Sequence, residues 1–318
     1  MKEESLLLLS DLQKLINQVV LIDYTIIILG GSYMILKLMI VEIKRYLRSL
    51  YYLVVLFILF LIHMLGLKGG VPFLFWGDDF LENVNFICIV LSLLMSVYIC
   101  DEFSYGTVQN KLYLGYKKSQ IYIAEVIACS VCGSSLVLLD SLFYLLGCFL
   151  RKQELTHSFS YIMTNTLIFM ITIGSVSVII CSFSLLAKKR LITQFLLVFF
   201  AIFLINSGRK TLATLTDYES VFVEINEEND PASKDLIESF TEELNATYRT
   251  QLNMKITLSP YAQCNFSSYI TTERPEDKPK QSFLFKNRDY HIDFVIADVI
   301  LSLFIILVSV NIFKKQNI

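Results

Sequence analysis

Tyr51-Tyr52-Leu53-Val54-Val55-Leu56-Phe57-Ile58-Leu59-Phe60-Leu61-Ile62 runs for twelve residues without a charge or a proline. A hydrocarbon core of ~30 Å takes about 20 apolar residues in helical form, and a helix satisfies its own backbone polar groups there. Five further segments have this character, so the expected spans are 50–67, 83–100, 120–149, 159–187, 191–207 and 292–313. The third and fourth exceed the need and are expected to tilt or project beyond the headgroups. Hydrophobic residues make up 55% of the 318 and charged residues 18%, which is the balance of a membrane chain.

Basic residues orient the spans. Lys37, Lys44, Arg45 and Arg48 precede the first; Lys111, Lys117 and Lys118 lie between the second and third. Lys188, Lys189 and Arg190 separate the fourth from the fifth, and Lys314 and Lys315 follow the sixth. With six alternating spans all four clusters share one side, which the positive-inside rule makes cytoplasmic. The expected location is therefore a cell membrane, multi-pass, with both termini cytoplasmic. The other side receives Lys68, Asp78, Asp79 and Glu82, a short loop with Arg151 and Lys152, and the long stretch 208–290 with fourteen acidic and ten basic residues. A formal net charge of −2 gives no general attraction to nucleic acid.

Residues 34–50 read as an amphipathic interfacial helix, with Lys37, Lys44, Arg45 and Arg48 on one face and Leu36, Ile40, Ile43 and Leu47 in a stripe beside it. Residues 1–33 form an uncertain N-terminal extension. Gly30-Gly31 followed by Ser32-Tyr33-Met34 has the spacing of a bacterial ribosome-binding site ahead of a start codon, so either translation begins at Met34 or the extension is a peripheral helix.

Between spans two and three lies a polar island, Asp101-Glu102-Phe103-Ser104-Tyr105-Gly106-Thr107-Val108-Gln109-Asn110-Lys111. The whole connection, 101–118, is long enough to form a structured helix at the bilayer surface, where something in the water could touch it.

The stretch 208–290 is expected to be a small α/β extracytoplasmic insertion between helices five and six. Val221, Val223 and Ile225 alternate as in a strand, and Asp230-Pro231 opens a helix with the stripe Leu236, Phe240, Leu244 and Tyr248. Met254-Lys255-Ile256-Thr257-Leu258 reads as a second strand, and Thr271 to Gln281 as a mobile polar stretch. Residues 291–318 supply the last span and its tail.

No G-x-x-x-x-G-K-[ST], H-E-x-x-H or G-x-S-x-G occurs, so no P-loop, zincin or hydrolase motif is present and the chain is not expected to be an enzyme. Cys129 and Cys132 form a C-x-x-C, but without a second pair or a nearby histidine they read as core residues, like Cys88, Cys100, Cys148 and Cys181. Cys264 stands alone in a polar stretch, so no disulfide framework is expected, and His63, His157 and His291 read as isolated boundary residues. No metal, cofactor or catalytic residue is assigned. Two carboxylates fall inside spans, Asp140 and Asp298, where a charge costs ~2.5–3.5 kcal/mol on insertion scales. Each is expected to line a polar path or contact substrate, or else to make an interhelical hydrogen bond. Glu125 is placed at headgroup depth. Ser130, Cys132, Gly133, Ser134 and Ser135 on span three, with Gly174, Ser175 and Ser177 on span four, point to close helix packing.

Glu102 to Leu112, followed by Gly115-Tyr116-Lys117-Lys118-Ser119-Gln120-Ile121-Tyr122, resembles the E-x-x-x-G-T…L…G-x-x-(R/K) pattern of ABC-2 type transporter permeases, including the bacitracin-resistance and lantibiotic-immunity branches. The resemblance extends to Glu42-Ile43-Lys44-Arg45-Tyr46-Leu47-Arg48 and to the six-span layout from about residue 34 onward. It implies a permease subunit that exports a peptide, drug or other amphiphile, driven by a separate cytosolic ABC ATPase that holds ATP and magnesium. A second copy of the permease or a homologue would complete the transporter in the lipid bilayer. Glu102, Phe103, Gly106, Thr107, Lys111, Gly115, Lys117 and Lys118 would by that resemblance form the ATPase-coupling surface. Gln109 stands where the pattern commonly has Arg or Lys, and the stretch between spans five and six is unusually large. The alternative is a non-transporting membrane sensor or immunity protein with a peptide-binding ectodomain.

Overall fold

The computed structural model describes residues 33–67, 69–71, 74–76, 80–153, 155, 158–187, 189–227, 251, 254–264 and 290–316. In chain order its elements are α1 (Tyr33–Leu47), α2 (Leu50–Leu65), β1 (Gly69–Val71), β2 (Leu74–Trp76), α3 (Val84–Ser104) and α4 (Thr107–Tyr113). There follow α5 (Lys118–Arg151), α6 (Phe159–Ala187), α7 (Arg190–Glu227), the short α8 (Pro260–Gln263) and α9 (Tyr290–Lys315). The chain is an all-α polytopic membrane protein. Among the described residues, five helices are long and apolar enough to cross a membrane, and a sixth crossing results if α1 and α2, bent by 55° at a two-residue break, count as one.

That break is built from local chemistry. Ser49 is extended, with ψ 139°, and its hydroxyl oxygen accepts from the Tyr52 amide at 3.2 Å, which starts α2. At the other end Gly66 takes φ 63° and closes the helix in the left-handed cap that glycine adopts freely. Beyond it β1 and β2 form a small antiparallel hairpin with Gly70 opposite Phe75.

The central contact is α5 against α6. A Cβ on Gly174 would lie 2.9 Å from Ser130 Oγ and 3.0 Å from Ser134 Oγ, and one on Gly133 would overlap Ser177 Oγ. The absence of side chains at these two positions lets the backbones approach. The serines then reach across: Ser134 Oγ donates to the Met170 carbonyl at 2.7 Å and Ser130 Oγ to the Gly174 carbonyl at 3.2 Å. Close contact and interhelical hydrogen bonds replace the hydrophobic drive that lipid does not supply. The expected small-residue packing of spans three and four is thus present. Tyr52 hydroxyl to Ser135 Oγ and Tyr122 hydroxyl to Ser182 Oγ, each 2.6 Å, join α2 and α6 to the same helix.

The ends of the helices share one face. Arg190 Nη1 at the start of α7 donates to Asp101 Oδ1 near the end of α3 at 3.0 Å. Lys118 Nζ at the start of α5 donates to the Gln316 carbonyl at 2.5 Å, and Gln316 Nε2 to the Leu186 carbonyl at the end of α6 at 3.1 Å. Together with α1 these contacts gather Lys44, Arg45, Lys111, Lys118, Lys189, Arg190, Lys314 and Lys315 at one end of the bundle.

The expected α/β insertion is not supported. Residues 219–225, read as a strand, continue α7 as helix to Glu227, and 254–257, read as a strand, form a helical turn. Val221 and Ile225 are also spaced i, i+4, so a five-residue alternation carries both periods, and continuation of a long helix prevails. The helix expected from Asp230, the polar stretch from Thr271 and the extension 1–32 lie outside the described residues.

Candidate functional site: a buried ion cluster under the polar island

At the basic end four elements converge on one set of charges. Helix α1 turns Leu38, Glu42 and Tyr46 inward, one helical turn apart, while Leu36, Ile40 and Leu47 of its apolar stripe stay exposed on the outside of the bundle. Lys111, on α4, places Nζ 2.8 Å from Glu42 Oε1 and 2.8 Å from Glu102 Oε2, and it also pairs with Glu125 Oε1 on α5. Arg45 pairs with Glu42 Oε2 at 2.5 Å and with Glu102 Oε1. The Arg45 guanidinium lies 4.9 Å from the centre of the Tyr98 ring, and its Nε donates to the Tyr98 hydroxyl. All three carboxylates and the Lys111 ammonium are buried.

Three carboxylates and two cations leave one net negative charge when all are ionised. The oxygens of Glu42, Glu102 and Glu125 lie close enough together to hold a metal ion. The Lys111 ammonium, however, is within bonding distance of all three and takes the position at which a cation would neutralise them. The arrangement is that of an internal ionic joint. Buried charges of this kind persist only when paired and hydrogen-bonded, and removing one member strands the rest. Beneath the joint, the Tyr46 and Tyr98 rings meet with centroids 4.0 Å apart, and Cys129 Sγ donates to the Tyr46 hydroxyl at 3.0 Å.

The local backbone explains how Lys111 arrives there. Gly106 adopts φ 69° between α3 and α4, a conformation that side chains disfavour, and breaks the helix there. Val108 and Lys111, three apart on α4, then face inward, and Gly115 at φ 89° begins the approach to α5. Tyr105, Gln109, Asn110, Tyr113, Leu114 and Lys117 are left exposed, Tyr113 at 87%.

The residues expected to form a coupling surface therefore divide. Glu102 and Lys111 are buried in the ionic joint, Phe103 is half-buried with its ring 6.4 Å from that of Phe313, and Gly106 and Gly115 make the turns. Thr107 and Lys118 are half-buried, and Lys117 is exposed. Glu125, expected near the start of span three at headgroup depth, is buried inside the protein at the basic end of the bundle, and Glu42, which carried no assignment beyond the pattern, is one of the centres of the joint. The signal for Glu42 was its position four residues from both Leu38 and Tyr46, an acidic residue in an otherwise inward-facing row.

The intramembrane acids both have partners on other elements. Asp140 Oδ1 lies 2.9 Å from His63 Nε2 and accepts from Asn83 Nδ2 at 3.0 Å, and all three side chains are buried. His63, expected to be an isolated boundary residue, is therefore half of a buried pair. Asp298 Oδ1 accepts from Gln263 Nε2 at 3.1 Å. All seven cysteines are buried free thiols, as expected of core residues for Cys129 and Cys132; Cys264, read as standing alone in a polar stretch, is packed beside Cys88. His157 and His291 lie outside the residues whose side chains are described. No protein-family model matches this chain, and no curated protein matches it.

Proposed function

We propose that the chain is the membrane-spanning permease subunit of an ABC-2 type transporter, exporting a peptide, drug or other amphiphile under the drive of a separate cytosolic ATPase. The observation that carries this reading is the ionic joint. It welds α1, α3, α4 and α5 into one block at the basic end while leaving Tyr105, Tyr113 and Leu114 projecting from it. Exposed aromatic and aliphatic side chains on a braced turn suit a protein partner. A force applied there passes directly to spans two and three, with no slack to absorb it.

In this reading the basic end is cytoplasmic. ATP and magnesium sit on the partner, and a second permease completes the assembly. Glu102 and Lys111 act from within, holding α4 in the pose that the ATPase grips. The partner does work only by binding two permease conformations with different free energies.

The test is capture of a co-expressed cytosolic P-loop ATPase by tagged permease in detergent. Tyr113→Ala with Leu114→Ser should reduce recovery and ATPase stimulation at least tenfold while the permease elutes unchanged on size exclusion. Full recovery and full stimulation with that variant would overturn the coupling assignment and favour the non-transporting sensor.

A further inference from the structure

Residues 254–264 are drawn into the bundle at the end opposite the ionic joint. A helical turn, Ser259 as N-cap with its hydroxyl oxygen accepting from the Ala262 amide at 3.3 Å, and Pro260 at the first position of α8 shape the segment. Tyr261, Gln263 and Cys264 are fully buried. The Tyr261 hydroxyl lies 3.4 Å from Ser92 Oγ on α3. Gln263 Nε2 donates to Asp298 Oδ1 on α9 and, at 2.9 Å, to the Thr257 carbonyl, while its Oε1 accepts from Thr172 Oγ1 on α6 at 3.2 Å. Cys264 Sγ stands 3.1 Å from Cys88 Sγ on α3, closer than two sulfurs that merely touch.

We propose that Cys88 and Cys264 form a disulfide that fastens the 254–264 segment to α3. The two sulfurs come from positions 176 apart and meet with no other element between them. In the reduced state that the structure shows, Cys264 Sγ donates to the Pro260 carbonyl at 3.2 Å, a bond that oxidation would give up. In the orientation proposed above this end of the bundle faces the extracytoplasmic side, where oxidised pairs persist. Cys129, by contrast, sits near the basic end, with the Tyr46 hydroxyl and the Cys181 side chain for neighbours.

The oxidant, by class, is a protein disulfide on that side acting by thiol–disulfide exchange while the segment is still undocked. The Cys264 thiolate attacks one donor sulfur, giving a mixed disulfide and freeing the other donor sulfur as a thiol. The Cys88 thiolate then attacks the Cys264 sulfur and displaces the second donor thiol. The pair loses two protons and two electrons, and the donor leaves as a dithiol. Docking of Tyr261 and Gln263 then seals the bond from reductant.

The test uses the full chain in native membranes, denatured in acid and then alkylated with N-ethylmaleimide, digested without reduction and analysed by mass spectrometry. Cys88 and Cys264 peptides should be found joined, separating on reduction, with Cys129 and Cys132 alkylated; in Cys264→Ser, Cys88 should be alkylated. Alkylation of both Cys88 and Cys264 in the unaltered chain overturns the proposal. Orientation is read in parallel from Lys189→Cys with a membrane-impermeant maleimide, since Lys189 is exposed and all seven native cysteines are buried. A reduced pair with position 189 shielded in intact cells removes the disulfide alone; a reduced pair with 189 labelled removes the orientation as well.

Discussion

His63 Nε2 lies 2.9 Å from Asp140 Oδ1, joining α2 to α5 across 77 positions of sequence at a fully buried contact. Asn83, at the start of α3, bridges the two, with Nδ2 3.2 Å from the histidine nitrogen and 3.0 Å from the carboxylate. Breaking a buried polar pair costs the desolvation of the abandoned partner, so Asp140→Leu should destabilise the chain by about 1–3 kcal/mol. Asp140→Asn retains an acceptor for Asn83 and should lose less. In a cycle with His63→Leu the two losses should not add, and thermal unfolding in detergent measures this. Additive losses would show that the contact contributes nothing of its own.

Lys111 is the keystone of the ionic joint. Lys111→Met leaves Glu42, Glu102 and Glu125 facing one another with only Arg45 to offset them, and should cost about 3–5 kcal/mol. A second change, Glu125→Gln, should restore part of the loss because it removes one of the repelling charges. The measurement is the melting temperature of the purified variants; a double variant less stable than Lys111→Met alone would contradict the cluster's charge balance.

The Asp101–Arg190 pair makes the opposite case. Its side chains are 24% and 45% exposed, so water screens the 3.0 Å contact. Asp101→Asn should shift stability by less than about 1 kcal/mol. A loss comparable to that of Lys111→Met would mean that this end of the bundle is far drier than its exposure indicates.

Gly133 tests the helix contact. Gly133→Ala places a Cβ onto Ser177 Oγ and should cost about 1–3 kcal/mol by overpacking. Removing the obstructing hydroxyl with Ser177→Ala should return most of it, read again from unfolding temperatures. No recovery would place the strain elsewhere along α5 and α6.

How much of this was legible in the chain depends on range. Five of the six expected spans were readable because their signal is local, length without charge; the segment around 51–62 makes a sixth only when α1 and α2 are counted together. The amphipathic α1 was readable for the same reason, but the turn at Gly106 was not: 101–118 was expected to be one surface helix, and the structure divides it into the end of α3, the turn, α4 and the start of α5. The strands expected at 219–225 and 254–258 failed because five residues of alternation fit a helix as well as a sheet, and a helix already under way continues. The ionic joint was half visible. Glu102 and Lys111 stood out within the polar island, but their burial depends on Glu42 and Glu125 arriving from other helices. His63–Asp140 and Cys88–Cys264 left no local trace, since each partner looked isolated until the helices were packed.

The elbow at Arg48 and Ser49 carries a geometric consequence. The Arg48 amide still donates to the Lys44 carbonyl at 3.2 Å and the Ser49 amide to the Tyr46 carbonyl at 3.0 Å, so α1 hands over to α2 without a free linker. The two helices are therefore phase-locked, like shafts meeting at a keyed coupling. One inserted residue would rotate α2 by about 100°, turning Tyr52, Val55, Leu59 and Ile62 away from their seats while Glu42 stayed in its own. A point substitution in the elbow should cost no more than the Ser49 cap, about 1 kcal/mol, whereas any change of its length would put the whole of α2 out of register.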